Sequence, residues 1–281
     1  MFKVPKNGTE KQKNLFKMFV LLNMQAIVDY GKLYMGSIST HANELRLGGH
    51  EAPPRIISSF LGDAVTEILD DKSLHEVQNL KDKVGTRFDV HQEDTDRNRT
   101  SPYAFAGNKF EFRAVGSSQN TSFPMAVIAA TIAREIDFVL EKIEKGASIE
   151  KVLADLTETS RAARFEGNGY TKEWVEEARK RGLYVNTELS EAIENIKDNA
   201  DVFVEVGAAD KEVIRAKHNN SANQYIQTVA LEERTLQIIL SREFMPRAYS
   251  YASTLSSSNA EGPAAERNDR FRKVFNDVVE L

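Results

Sequence analysis

Long helical patterns constrain this 281-residue chain more than any other feature of its sequence. Apolar residues recur every three or four positions near the N-terminus, which predicts a helix over about residues 9–35. Similar apolar stripes predict buried helices after Pro53–Pro54, up to residue 69, and over about residues 122–145. A last long helix is predicted over about residues 211–252. The loops and the one clear strand lie before residue 122, so the sequence predicts a mostly helical α+β fold.

Shorter signals divide the second half of the chain. Ser148 is a predicted N-cap of one helix, and Thr171 is a predicted N-cap of another that ends at Gly182 behind three basic residues. Residues 201–206 alternate as DVFVEV, and so short a segment is compatible with a strand or a short helix. Pro246 is expected to kink the last long helix or to begin a new turn.

Composition excludes several classes of protein. Lys and Arg number 37 and Asp and Glu 42, a formal net charge of −5, which argues against general nucleic-acid binding. The absence of cysteine excludes disulfides, thiolate zinc sites and cysteine nucleophiles, and it fits a reducing cytoplasm. The apolar stretches are too short to cross a membrane. We therefore expect a cytoplasmic protein with no nucleic-acid or membrane partner.

The segment NKFEFRAV is the clearest strand. Alternation places Lys109, Glu111 and Arg113 on one face. The opposite, apolar face carries Phe110, Phe112 and Ala114. The charged row has two interpretations: a solvated face with ion pairs, or a site for a charged ligand in which the carboxylate holds a divalent cation and the cations bind carboxylate or phosphate oxygens.

Two loops before this strand carry further candidate residues. Arg99 lies in the polar segment EDTDRNRTSP, where guanidinium groups could stabilise a phosphoryl group in transfer, or the loop could simply be a mobile surface segment. Glu51 lies between Gly48–Gly49 and Pro53–Pro54, an arrangement that suits a gating flap. Glycine-rich turns before helices are common, so the flap pattern by itself is weak.

Together these segments resemble one family. LRLGGHEAPPRIISSFLG, followed by DRNRTSPYAFAGNKFEFRAVGSSQN, is similar to type III glutamine synthetase. The shared pattern is an Arg before a Glu-Ala-Pro turn, an Asn-Arg-Ser/Thr loop and a Glu-x-Arg strand. FEGNGYTKEWVEEARKRGL and ANQYIQTVALEERTLQIILSREFMP extend the resemblance, which is strongest over residues 45–124. It implies that residues 1–165 are the C-terminal part of the catalytic domain, an incomplete antiparallel sheet packed by helices, and that residues 166–281 form an all-helical region.

The resemblance also implies an activity. Glutamine synthetases are glutamate–ammonia ligases, which use ATP as co-substrate to form γ-glutamyl phosphate from glutamate, and ammonium then supplies the nitrogen of glutamine. The implied cofactor is Mg²⁺ or Mn²⁺, and the implied partners are glutamate, ammonium, ATP and, in the full-length family, further copies of the chain. Arg113 and Arg46 match substrate-binding arginines. Arg99 matches the arginine that stabilises phosphoryl transfer, and Glu51 matches the flap glutamate that helps to take a proton from ammonium.

Glu111 matches a metal-binding carboxylate of the family, and Lys109 is expected with Arg99 to bind the nucleotide. The family's Glu-x-Glu pair has no counterpart in this sequence, and none of the five histidines matches a metal strand. The N-terminal β domain and the first metal-binding strands are expected to lie upstream of the segment represented here, in a longer chain or on a separate fragment. The chain alone is thus expected to be inactive. The alternatives are a non-catalytic interaction or regulatory protein derived from a glutamine synthetase, and a glutamate- or nucleotide-binding module.

Overall fold

A computed structural model describes residues 8–48, 54–70, 101–165, 167–257 and 261–279. Helices dominate it, together with one small three-stranded sheet, which confirms the predicted fold class. The chain divides into two compact units, Met1–Tyr225 and Ile226–Leu281. The boundary predicted between residues 165 and 166 stays a prediction.

No helix within the described ranges is long and apolar enough to cross a membrane.

Helix α1 (Glu10–Ile38) is the centre of the first unit and confirms the prediction for residues 9–35. Thr9 caps it in a capping box with Gln12, and the helix is kinked at Tyr30, where φ and ψ are −119° and 18°. Its apolar side chains are buried on nearly all sides from Val20 onward. Helix α2 (His41–Arg46) follows after a short turn, with Thr40 as its N-cap.

The helix predicted directly after Pro53–Pro54 is wrong in its first half. Residues 54–62 are largely extended: Ile56 forms a β-bridge with Val185, and Ser59–Phe60 is strand β1. Helix α3 (Asp63–Leu69) begins only after Gly62, whose φ of 78° makes the turn. The apolar residues of this segment are buried although the segment is extended, because short apolar runs fit a buried strand as well as a buried helix.

The sheet places the charged strand against α1. Strand β2 (Tyr103–Phe105) pairs in parallel with β1 and antiparallel with β3 (Phe110–Phe112), so the predicted antiparallel pairing holds for one of its two pairs. The ring of Phe110 stacks on Tyr103 with centroids 5.0 Å apart. The ring of Phe112 meets Tyr34 of α1 edge-on at 5.8 Å. The predicted apolar face of β3 is therefore a core face.

Helices α4 (Ser122–Glu144) and α5 (Ile149–Thr159) pack against α1 and confirm the predicted helix over residues 122–145. Ser148 caps α5 as predicted, since its hydroxyl accepts from the Lys151 N–H. A short 3₁₀ turn, Ser160–Ala163, follows. Tyr34 of α1 and Thr131 of α4 join the two long helices by a buried hydrogen bond of 3.1 Å.

Helix α6 (Lys172–Lys180) begins at its predicted cap, Thr171, and is followed by Gly182 with φ of 79°. Three short helices come next: α7 (Leu189–Ala192), α8 (Asn195–Asp198) and α9 (Asp201–Glu205). Residues 201–206 are thus mainly helical. Helix α10 (Lys211–Ile239) completes the first unit and continues into the second.

The second unit is helical. A π-helical segment (Leu240–Phe244) precedes helix α11 (Met245–Ser257), so the irregularity expected near Pro246 lies just before it. Helix α12 (Pro263–Val279) packs on α11 through aromatic pairs. Tyr249 and Phe275 meet at 5.0 Å, and Tyr251 and Phe271 at 4.9 Å.

Candidate active site

Arg46 joins the last turn of α2 to the chain that follows β3. Its Nη2 donates to the carbonyl of Arg113 at 2.7 Å, and its Nη1 donates to the carbonyls of Val115 at 2.9 Å and Ala114 at 3.3 Å. Nη1 also donates to the side-chain oxygen of Asn43 at 3.0 Å. Arg46 therefore has a structural task that the sequence did not indicate: it holds the two elements of the site together.

Asn43 is a second connection between α2 and β3, and sequence reasoning missed it. The side chain is fully buried. Its amide nitrogen donates to the carbonyls of Ile38 at 2.9 Å and Ala114 at 2.8 Å, while its oxygen accepts from Arg46. Every polar atom of this side chain is thus used, which fixes the position of Arg46 relative to the end of β3.

The charged face of β3 forms the ion pairs that one interpretation predicted. Lys109 Nζ lies 3.2 Å from one carboxylate oxygen of Glu111, and Arg113 Nη2 lies 3.3 Å from the other. The hydrogen bond from Lys109, together with that from Arg113, holds the pKa of Glu111 below its usual range. Glu111 is therefore a charged carboxylate at neutral pH, with a cation on each side.

Three of the predicted residues meet at a cavity of about 330 Å³. We call it the arginine cavity, and its lining residues are Arg46, Leu47, Ser101, Pro102, Glu111, Arg113, Ala114 and Tyr170. Three of the six predicted site residues, Arg46, Glu111 and Arg113, therefore share one wall. Lys109 is not among the lining residues, and Glu51 and Arg99 lie outside the described ranges.

Ser101 and Tyr170 are further candidate residues that sequence reasoning did not single out. The buried hydroxyl of Ser101 donates to the carbonyl of Ser58 at 2.7 Å, which attaches the segment before β2 to the segment before β1. Tyr170 precedes α6, and its N–H donates to the side chain of Asn168 at 3.1 Å. Its only signal in the sequence was the motif FEGNGY, which suggested family membership rather than a role.

The residues that are described do not fit a divalent cation. Among the lining residues within the described ranges, Glu111 is the only carboxylate, and both of its oxygens face cationic partners. Across the described ranges, no group of three or more His, Asp or Glu side chains is placed to hold a metal ion. Mg²⁺ needs about six oxygen ligands, so one carboxylate is insufficient. The assignment of Glu111 as a metal ligand stays a prediction.

The arrangement instead suits an anionic ligand. Two guanidinium groups and one carboxylate line the arginine cavity, so its wall carries a net positive charge. Arg113 directly follows β3, and its side chain is 22% exposed. The Nε and Nη2 groups of Arg113 both face Glu111, and the positive charge of the guanidinium at the cavity attracts a carboxylate ligand.

Comparison with known proteins points to one family. Residues 148–261 match the family model described as Glutamine synthetase C-terminal domain. The chain is 33% identical over 96% of its length to a glutamine synthetase of Bacteroides fragilis (strain YCH46), of which it covers 41%. It is 30% identical over 89% of its length to a type-3 glutamine synthetase of Dictyostelium discoideum, of which it covers 36%. The chain spans about two fifths of the length of these curated relatives.

Proposed function

Because this chain belongs to the glutamine synthetase family, we propose that it takes part in the ATP-dependent formation of glutamine from glutamate and ammonium through γ-glutamyl phosphate. One observation carries the proposal. Arg46, Glu111 and Arg113, which come from two separate sequence motifs, line a single cavity. That cavity carries net positive charge, which suits a dicarboxylate substrate.

Arg113 is the proposed principal ligand of the glutamate carboxylate. Its partner Glu111 limits the rotation of the guanidinium, so little side-chain entropy is lost when the substrate binds. Arg46 is the proposed second cation. Three protein oxygens already share the two hydrogens of its Nη1, so Arg46 acts chiefly through its charge and through the shape of the cavity wall.

The remaining roles follow from the family resemblance. Arg99 and Lys109 are proposed to stabilise the negative charge on the phosphates of ATP, because fixed cations favour charge that develops during phosphoryl transfer. Glu51 is proposed to close over the bound substrate and to help to deprotonate ammonium, since closure excludes water from the reacting atoms. Mg²⁺ or Mn²⁺, a homo-oligomeric state and a cytoplasmic location belong to the same proposal, and no chemical step is assigned to the metal.

A second candidate function is glutamate binding without turnover. The observation that favours it is the donor set: the described residues supply cations for a carboxylate ligand but only one carboxylate for a metal. Phosphoryl transfer from ATP depends on divalent cations, which offset the negative charge of the phosphates. Binding of glutamate does not depend on them.

Both candidate functions require the chain to bind glutamate, and calorimetric titration of the whole chain with glutamate tests this requirement. Arg113→Gln is expected to weaken glutamate binding by about tenfold or more, because a charge-assisted bidentate contact is lost. Arg161→Gln is the matched control, since this arginine is half-exposed and its ion pairs lie on Asp70 and Glu158. Equal affinity of Arg113→Gln and the unaltered chain would contradict the assignment of the cavity.

An assay of ATP- and ammonium-dependent glutamine formation separates the two candidates. Glutamine formation that is abolished in Glu111→Ala supports the ligase. Glutamate binding without glutamine formation favours the binding module. Absence of both binding and turnover contradicts both and favours the interaction protein.

A further inference from the structure

A second cavity, of about 310 Å³, lies on the other side of Tyr170, which contributes to the walls of both cavities. We call it the basic cavity. Its walls come from residues on both sides of segment 49–53, from the start and outer face of α6, and from residues 185–187. Three cations, Arg55, Lys172 and Arg179, are among the lining residues, and none of the lining residues that the structure describes is acidic.

Arg55 is held by three backbone carbonyls and forms no ion pair with a carboxylate in the part of the chain that the structure describes. Nε donates to the carbonyl of Leu47 at 3.0 Å, and Nη2 donates to the carbonyl of Glu44 at 3.1 Å. Nη1 donates to the carbonyl of Thr187. All three nitrogens therefore bind neutral oxygens, and a full positive charge remains fixed at the wall of the cavity.

Lys172 and Arg179 provide two mobile cations. They lie seven residues apart on α6, and both line the cavity together with Val175 between them, so they share one face of the helix. Both are exposed, and neither forms an ion pair with a residue of the described ranges. A long cation of this kind can turn toward an anion without breaking an existing contact.

Asn186 adds an acceptor to this cationic site. The residue is only 6% exposed, and its amide nitrogen donates to the hydroxyl of Tyr184 at 2.9 Å. Its side-chain oxygen is buried and has no hydrogen-bond partner among the described residues. An unpaired buried acceptor destabilises the folded protein, so a ligand that donates an O–H or N–H to it would be bound more tightly.

We propose that the basic cavity is a second ligand site, which binds a small phosphorylated compound through Lys172, Arg179 and the fixed charge of Arg55, with a donor of the ligand bound by Asn186. The start of α6 lies at the same cavity through its cap, Thr171, and adds the positive end of a nine-residue helix. Ile56, Val175 and Val185 form an apolar wall beside the charges, which leaves room for the carbon skeleton of the ligand.

Inorganic phosphate is a suitable probe, because at neutral pH it keeps at least one O–H that sulfate lacks. Titration of the whole chain with phosphate is expected to show saturable binding with a Kd of about 1 mM or tighter. Sulfate is expected to bind at least about fivefold more weakly, since it cannot donate to Asn186. Equal affinities for the two anions would overturn the role of Asn186, and absence of saturable phosphate binding would overturn the site.

Variants of exposed residues locate the bound phosphate. The double substitution Lys172→Gln, Arg179→Gln is expected to weaken phosphate binding by about tenfold or more. Lys180→Gln, on the same helix but not among the lining residues, is the matched control and should bind as the unaltered chain does. Circular dichroism verifies that each variant keeps its helices.

A further variant distinguishes phosphate binding in the basic cavity from phosphate binding in the arginine cavity. Arg113→Gln should leave phosphate binding unchanged, because Arg113 lines only the arginine cavity. Loss of phosphate binding in Arg113→Gln, with full binding in the double variant, would place the anion in the arginine cavity and overturn the proposal. Since glutamate binding tests the arginine cavity, failure of one site does not imply failure of the other.

Discussion

Two clusters of polar side chains lie in the first unit, and each contains a carboxylate whose charge at neutral pH differs from that of the other. The site cluster, Asn43, Arg46, Glu111 and Arg113, surrounds the end of β3, and its carboxylate faces two cations. The interface cluster, Gln25, Asp29, Glu135 and Thr159, lies between α1, α4 and α5. Thr159 donates to Gln25 at 2.6 Å, and Gln25 donates to Asp29 at 2.8 Å.

Glu135 is the unusual member of the interface cluster. It is 4% exposed, and one of its carboxyl oxygens has no hydrogen-bond partner within the described ranges. Burial, with the nearby charge of Asp29 and a hydrogen bond to it, raises the pKa of Glu135 to about 8, although Arg134 and Lys142 act in the opposite direction. Glu135 is therefore largely protonated at neutral pH, whereas Glu111 is charged. The difference shows that charge is retained where cations and solvent face it and is removed by a proton where helices pack.

The largest expected effect concerns the pH dependence of stability. The pKa of Glu135 rises on folding from 4.5 to about 8, so its contribution is fully present below about pH 4.5 and is lost as the pH rises toward 8. The free energy of unfolding should fall by about 4 kcal/mol over this range. Urea unfolding of the whole chain at several pH values measures it.

Glu135→Gln should flatten that pH profile, because an amide has no proton to lose. Glu176→Gln, which alters an exposed glutamate on α6, is the control and should retain the slope. An unchanged slope in Glu135→Gln would show that this carboxyl is ionised in the folded protein.

The next effect concerns the site cluster, where the buried polar groups are paired. Asn43→Ala removes the donor for the carbonyls of Ile38 and Ala114 and an acceptor for Arg46, and it should lower the free energy of unfolding by about 2 kcal/mol. Chemical denaturation measures the change, with the exposed Asn220→Ala as control. A loss as small as that of the control would mean that water replaces these bonds without cost.

The smallest effect is expected for the charged carboxylate of the site. Glu111→Gln should change the free energy of unfolding by less than about 1 kcal/mol at neutral pH, because half-exposed ion pairs contribute little. Because the pKa of Glu111 is lowered in the folded protein, its ion pairs stabilise the fold above the pKa of the unfolded chain. This stabilisation is lost as the pH falls, whereas the stabilisation from Glu135 is lost as the pH rises. Acid titration followed by circular dichroism should therefore show that Glu111→Gln and the unaltered chain become equally stable at low pH. A difference in stability that grows as the pH falls would contradict the ion-pair geometry.

Local patterns predicted much of the fold. Apolar spacing predicted α1 and α4, and the polar residues Ser148 and Thr171 were identified as the caps of α5 and α6. Each signal depends on residues within a few positions of one another, and so does alternation along β3. The helix prediction for the segment after Pro54 was wrong because its apolar residues fit a buried strand as well as a buried helix. Only the pairing with β2 and the bridge to Val185 distinguish the strand from the helix.

The candidate site was predicted only in part for a related reason. Motifs identified Arg46, Glu111 and Arg113, but the spacing of the motifs does not state that Arg46 binds the carbonyl of Arg113, 67 positions along the chain. Asn43 and Tyr170 had no distinguishing pattern of their own. Their importance arises from contacts with residues that are remote in the sequence.

The amino-acid sequence by itself determined the helix-rich fold, the helix caps, the two faces of β3 and the similarity to glutamine synthetases. Tertiary structure alone decided that residues 54–62 are largely extended, that two arginines and a carboxylate share a cavity, and that Glu135 holds a proton while Glu111 does not. The physical reason is the distance along the chain over which each interaction acts. Periodicity and capping act between neighbours along the chain, whereas burial and the distance between charges depend on segments that only folding brings together.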